Sequence, residues 1–239
     1  WKSIDLLNEK GLELPNHIGK YTEADRNFDF KQTVKKDYVK EVLETIDIFK
    51  VTGGEPFLSK DFLEILDLAI EKDLAKNITL MITTNASKFV KKILDKFIHF
   101  KRVEFTVSVD GAEGVYDYIR YPYSFKQWSN RINEAIQFAK DTGMKEQNKM
   151  VLKTACVVQA YNWLNLDKLF DYIDGLGMPE WRLLERLDFD LDLNPRDSEL
   201  HPRYLPDHIL DLGLERFKAT GHRQVEDFEN FVAYHKANR

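Results

Sequence analysis

Residues Val51-Thr52-Gly53-Gly54-Glu55-Pro56 carry the chemistry most open to a ligand: an apolar stretch breaks into two glycines, a carboxylate and a proline just before an amphipathic helix. Without side chains, Gly53 and Gly54 reach dihedrals closed to other residues and let a ligand approach the backbone. Pro56 has no amide hydrogen and biases Glu55 toward an extended conformation, so the carbonyls from Gly53 to Glu55 are expected to point outward and unpaired. Outward carbonyls suit a cationic ligand. A phosphate cradle needs clustered amide donors, and neither the Walker spacing nor G-x-G-x-x-G is present. Read alone, Gly53-Gly54 serves a tight turn equally well.

Polar clusters recur where later apolar strands should stop. Ile78–Ile82 runs into Thr83-Thr84-Asn85, Val103–Val107 into Ser108-Val109-Asp110-Gly111, Met150–Val158 into Gln159–Asn162, and Trp181–Leu184 into Glu185-Arg186. Between them lie patterns with apolar residues at i, i+3, i+4 and i+7, which turn one side of a helix toward a core. Phe62, Ile65, Leu66 and Ala69 form one; Val90, Ile93, Leu94 and Phe97 the next; Ile132, Ala135, Ile136 and Ala139 a third; Leu166, Leu169, Phe170 and Ile173 a fourth. Ser124 and Gln127 make a capping box for the third, and Gly143 sits where it should end. An earlier helix is expected over about residues 33 to 47. Strands alternating with helices at this spacing predict an α/β fold with a parallel sheet, and in barrels of this type the strand ends gather at one mouth.

The chain has 239 residues, 43% hydrophobic and 31% charged, with a net charge of −5, enough for one sizeable core. The acidic balance excludes nonspecific nucleic-acid binding, which rewards a concentrated basic face. No apolar run approaches a membrane span, and the chain is expected to be cytoplasmic. The one cysteine, Cys156, lies in an apolar run and reads as a core residue, and the six histidines show no metal-ligand spacing.

The ordered set of motifs from about residue 49 to 187 resembles the radical S-adenosylmethionine (radical SAM) superfamily, especially its twitch or SPASM subgroup. Gly53-Gly54-Glu55-Pro56 is similar to the superfamily's G-G-E-P signature, Thr83-Thr84-Asn85 to its next strand tip, Ser108–Gly111 to the one after, Tyr118-Ile119-Arg120 to its arginine-bearing segment, and Gln159–Asn162 to the following strand end. The resemblance implies a partial (β/α)6 TIM-like barrel. It also implies a reaction in which a reduced [4Fe-4S] cluster cleaves S-adenosylmethionine and the resulting 5′-deoxyadenosyl radical takes a hydrogen atom from a peptide or small-molecule substrate. The electron comes from a one-electron reductase such as flavodoxin or ferredoxin. On that basis the cofactor-binding candidates are Gly53, Gly54, Glu55, Pro56, Thr84, Asn85, Ser108, Asp110, Arg120 and Asn162. Carbonyls of Gly53 to Glu55 would take the cofactor's amino group, Arg120 its carboxylate, and Ser108, Asp110 and Asn85 its ribose or methionyl end. Asn162 reads either as a cofactor contact or as the N-cap of a helix over Trp163–Asp174. Glu185 or Arg186 would face substrate.

The chain departs from the superfamily in one respect: its cluster is held by C-x3-C-x2-C upstream of G-G-E-P, and no cysteine lies between Trp1 and Val51. Two expectations follow. The sequence is an excerpt whose first strand and cluster loop lie upstream of Trp1, or the protein is a silent barrel that lost its cluster and binds S-adenosylmethionine, a nucleotide or a partner. Retention of Glu55, Ser108, Asp110 and Arg120 favours the first. Domain boundaries are expected at 1–33 for a loop-rich segment, 34–187 for the barrel, and 188–239 for an acidic linker with C-terminal helices over Leu205–Ala219 and Gln224–Ala237.

Overall fold

The computed structural model describes residues 36–176, 184–187, 200–222 and 225–238. The chain divides into two compact units, Trp1–Glu41 and Val42–Arg239. Helix α1 (Lys36–Thr45) lies within the helix expected over about residues 33 to 47, of which 33–35 fall outside the described residues.

The second unit is built on a parallel sheet of five strands in sequence order: β1 (Ile48–Val51), β2 (Thr79–Thr84), β3 (Arg102–Ser108), β4 (Met150–Cys156) and β5 (Leu184–Leu187). Each strand pairs with the next, so every crossover carries the chain one position along the sheet. The crossovers among the described residues are α2 (Lys60–Glu71), α3 (Lys91–Phe97), α4 (Glu113–Ile119) with α5 (Phe125–Asp141), and α6 (Leu166–Gly175). Strand β5 begins at Leu184, so Glu185 and Arg186 lie inside it instead of past its end as expected; Trp181 falls outside the described residues.

One face of the sheet makes the core. Burial alternates strictly along β3, with Val103, Phe105 and Val107 fully buried and Arg102, Glu104, Thr106 and Ser108 partly exposed. Strands covered on both faces would read as continuous apolar runs, so this alternation fits helices packed on one side and a polar face on the other. Leu80, Ile82, Leu152 and Cys156 continue the buried face on β2 and β4. Phe105 meets Phe89 at 4.8 Å and Phe97 at 5.1 Å between ring centroids, both edge to face. Phe57, in the 3-10 turn Pro56–Leu58, joins the same cluster and so fastens the loop after β1 to the core.

Helix α5 opens with the expected capping box, Ser124 and Gln127 each bonding the other's backbone amide, and Gly143 follows it with φ of 68°. Helices α7 (Asp207–Ala219) and α8 (Val225–Ala237) pack on the segment after β4. Trp163 there stacks on Phe228 at 5.4 Å and donates its indole N–H to the Ile209 carbonyl at 3.1 Å. Phe217 of α7 meets Phe170 of α6 at 4.8 Å and Phe228 of α8 at 3.9 Å. Gly213 is the residue that lets Trp163 in, since a Cβ there would sit 2.0 Å from the indole nitrogen.

Candidate functional site at the strand ends

At the tip of β1, Gly53 and Gly54 both take positive φ, 91° and 51°, which explains the glycines by backbone conformation. A Cβ on either would meet nothing within 4 Å, so open space lies beside both. Among the described residues neither carbonyl accepts a hydrogen bond. The expectation of unpaired carbonyls therefore holds for these two residues among the described residues. It fails for Glu55, whose carbonyl accepts the Leu58 amide at 3.0 Å to close the 3-10 turn that Pro56 begins.

The Glu55 side chain turns to the neighbouring strand end. It accepts the Thr84 hydroxyl at 2.7 Å and the Asn85 amide at 2.8 Å, with the Phe57 amide at a longer 3.4 Å. Thr84 is buried, and its oxygen in turn accepts the Ala86 amide, while Asn85 accepts the Ser87 amide on its own side chain. Glu55, Thr84 and Asn85 thus form a clamp that fixes the tip of β1 to the tip of β2. Ala86 holds φ of 61° inside this turn, a strained conformation for a residue with a Cβ.

A second clamp joins β3 to β4. Asp110 is buried, one carboxylate oxygen taking the Val157 amide at 3.0 Å and the other the Arg120 guanidinium at 2.6 Å. Asn162 donates to the carbonyls of Asp110 and Val157 and accepts the Gln159 amide. It does not cap a helix, because α6 starts at Leu166 with Asn165 in the cap position. Asn165 itself reaches across to accept the Ala112 amide at 2.6 Å, a role the sequence did not signal. Gly111 has φ of 140°, and a Cβ there would press to 2.9 Å on Val115 and 3.0 Å on Asn165. The clamp needs that glycine.

Arg120 ends α4 beside the strand tips, and its side chain is 28% exposed with one face committed to Asp110. The ion pair orients the fork, and removing either partner would strand the other's charge at a cost of about 3 kcal/mol. Ser108, half-buried at the end of β3, makes no side-chain hydrogen bond among the described residues. Tyr118 of α4 and Tyr161 in the segment after β4 are exposed and meet edge to face at 5.1 Å. Cys156 lies beneath the second clamp; burial, then the Asp110 charge, push its thiol well above the usual cysteine range. The expected core role for Cys156 agrees with its burial.

The sequence candidates therefore gather at one end of the sheet in two groups. Glu55, Thr84, Asp110 and Asn162 are spent largely on holding loops together. Gly53, Gly54, Ser108 and Arg120 present groups outward.

A parallel sheet with alternating helices defines an α/β protein, and the accessible polar groups lie at the carboxyl ends of its strands, where proteins of this class bind ligands. The Radical SAM superfamily model matches residues 21–157, more than half of the chain, and the chain belongs to the radical SAM superfamily. No curated protein matches it. Among the described residues no helix is long and apolar enough to cross a membrane.

The two groups that the superfamily uses fare differently here. S-adenosylmethionine brings an ammonium, a carboxylate and hydroxyls, and the bare carbonyls of Gly53 and Gly54, the Arg120 fork and the Ser108 hydroxyl complement them. A [4Fe-4S] cluster needs thiolates. The 239 residues contain a single cysteine, which is buried and protonated, and no group of three potential metal ligands occurs among the described residues. The residues present do not fit a cluster.

Proposed function

We propose that these residues form the S-adenosylmethionine-binding and substrate-binding part of a radical SAM enzyme of the twitch or SPASM type. Its substrate is a peptide or a small molecule, and its electrons come from a one-electron reductase such as flavodoxin or ferredoxin. One observation carries the reading: unpaired Gly53 and Gly54 carbonyls and the Asp110-oriented Arg120 occupy the same end of one sheet, each held by a clamp of buried polar groups. When bound, S-adenosylmethionine supplies a sulfonium whose carbon–sulfur bond opens on reduction. The chain's own part is to bind and orient.

The Gly53 and Gly54 carbonyls accept the ammonium hydrogens, and Arg120 pairs with the carboxylate while Asp110 keeps the guanidinium in place. Ser108 and Asn85 offer hydroxyl and amide groups to the ribose or the methionyl end. The clamps supply preorganisation, because loops already fixed lose less freedom on binding. Helices α7 and α8 stand where the subgroup's C-terminal extension would follow the barrel.

Isothermal titration of the purified chain with S-adenosylmethionine tests the reading. One saturable site is expected, weakened roughly tenfold or more in Arg120→Met, the loss of a charge-assisted pair of about 1.5–3 kcal/mol. Gly54→Val, which places a branched side chain at a positive φ beside the bare carbonyls, should abolish it. Absence of binding, or binding indifferent to both substitutions in folded variants, would overturn the proposal.

A further inference from the structure

Asn162 and Asn165 stand one turn apart in the segment that leads from β4 to α6, and both are buried. Both reach back to one short turn, Asp110-Gly111-Ala112, in the connection from β3 to α4. The Asn162 amide group donates to the Asp110 carbonyl at 3.2 Å and to the Val157 carbonyl at 2.8 Å, and its oxygen accepts the Gln159 amide at 2.8 Å. The Asn165 oxygen accepts the Ala112 amide at 2.6 Å, at the residue that opens α4 and has no side-chain cap of its own. Between these two bonds a Cβ on Gly111 would lie 3.0 Å from the Asn165 oxygen. The turn is gripped at both ends. Asp110 enters it, and Arg120 ends the short helix that leaves it.

We propose that Asn162 and Asn165 are positioning residues for the recognition of an anion by Arg120. The inference rests on the reading of Arg120 as partner of the S-adenosylmethionine carboxylate, and it makes Asn162, expected as a cofactor contact or a helix cap, act through the ion pair instead. Asn162 closes a ring: it holds the Asp110 and Val157 carbonyls together, and the Val157 amide returns to the Asp110 carboxylate at 3.0 Å. With one carboxylate oxygen fixed, the other is aimed at Arg120, whose Nε donates to it at 2.6 Å. Asn165 fixes the start of α4, and the helix carries that placement to Arg120 at its end. A guanidinium already held in place gives up less freedom when it meets a carboxylate. The two asparagines differ in what they need. Asn162 donates twice and accepts once, a combination that aspartate cannot supply. Asn165 uses only its oxygen among the described residues, so aspartate there keeps the bond.

The Arg120 Nε–H signal in isotope-edited NMR of the full chain reads the ion pair without any cofactor, and Arg120→Met identifies it. A resolved, slowly exchanging signal is expected in the wild type, lost to exchange in Asn162→Ala and Asn165→Ala and retained in Asn165→Asp. If Asn162→Ala does not fold, the two Asn165 variants decide the question, since they differ in whether an acceptor faces Ala112. Isothermal titration of the folded samples with S-adenosylmethionine is the second readout: each alanine variant should weaken binding roughly fivefold, and Asn165→Asp should restore most of it. In an Arg120→Met background the alanine losses should vanish, whereas general damage to the fold would persist there. An Arg120 signal unchanged in the alanine variants, one lost equally in Asn165→Asp, or affinity losses undiminished in Arg120→Met would overturn the inference. Cofactor binding with an unresponsive Arg120 signal refutes the positioning role alone. A signal that responds as expected in a chain that binds no S-adenosylmethionine refutes the function proposed for the strand ends and leaves the asparagines' hold on Arg120 standing.

Discussion

Replacing Glu55 by alanine would remove the clamp between β1 and β2 without altering either glycine. The Glu55 carboxylate accepts two good hydrogen bonds, from the Thr84 hydroxyl at 2.7 Å and the Asn85 amide at 2.8 Å. Bonds to a charged group contribute roughly 1.5–3 kcal/mol each, and Thr84, being buried, gains little solvation when its partner is lost. The long contact to the Phe57 amide adds little. Partial exposure of the carboxylate lowers the sum, so the expected loss is about 3 kcal/mol, or roughly 6–12 °C in melting temperature for a unit of this size. Glu55→Gln should cost about 1 kcal/mol, because the amide oxygen still accepts from Asn85 and the Thr84 hydroxyl can turn to accept from the amide nitrogen. Urea denaturation followed by tryptophan fluorescence measures both. If Glu55→Ala changed stability by less than about 0.5 kcal/mol, the carboxylate would not be a strut, and its role would have to lie in direct ligand contact instead. An intermediate Glu55→Gln with a weakened affinity for S-adenosylmethionine in proportion to its lost stability would support positioning.

Gly213→Ala should destabilise the chain by roughly 3 kcal/mol or more, since its Cβ falls 2.0 Å from the Trp163 ring and must expel it from Phe228 and the Ile209 carbonyl; denaturation and a red shift in tryptophan emission report it. Cys156 should resist a thiol reagent at pH 8 in the folded chain and react completely in urea, because burial keeps its thiol protonated. For Glu104, burial pushes the carboxyl up, but the Arg102 hydrogen bond and the Lys153 charge together bring it below the ordinary value. A lowered folded value means stability that is present above the unfolded pKa, about 4.3, and lost as pH falls through the folded one. The stability difference between wild type and Glu104→Gln should therefore be flat near neutrality and shrink below about pH 4; a difference unchanged at pH 3 would refute the network's electrostatic role.

Local patterns in the sequence determined much of this protein. Apolar spacing of 3.6 residues placed α2, α3, α5 and α6, Ser124 and Gln127 marked a helix start, and Gly53-Gly54 marked a strand end with an accessible backbone, because each depends on neighbours within a few residues. The family motifs followed from the order of those strand ends. Side-chain roles did not, since they depend on which loop lies opposite. Glu55 and Asp110 read as ligand groups, and the fold turns their carboxylates onto Thr84, Asn85, Val157 and Arg120. Asn162 read as a cofactor contact or a helix cap and ties two strand ends, while Asn165, one turn on, takes the cap position and bridges to Ala112. Sequence determines periodicity and backbone freedom locally, whereas the pairing of charges and hydrogen bonds between strand ends requires the sheet to have formed.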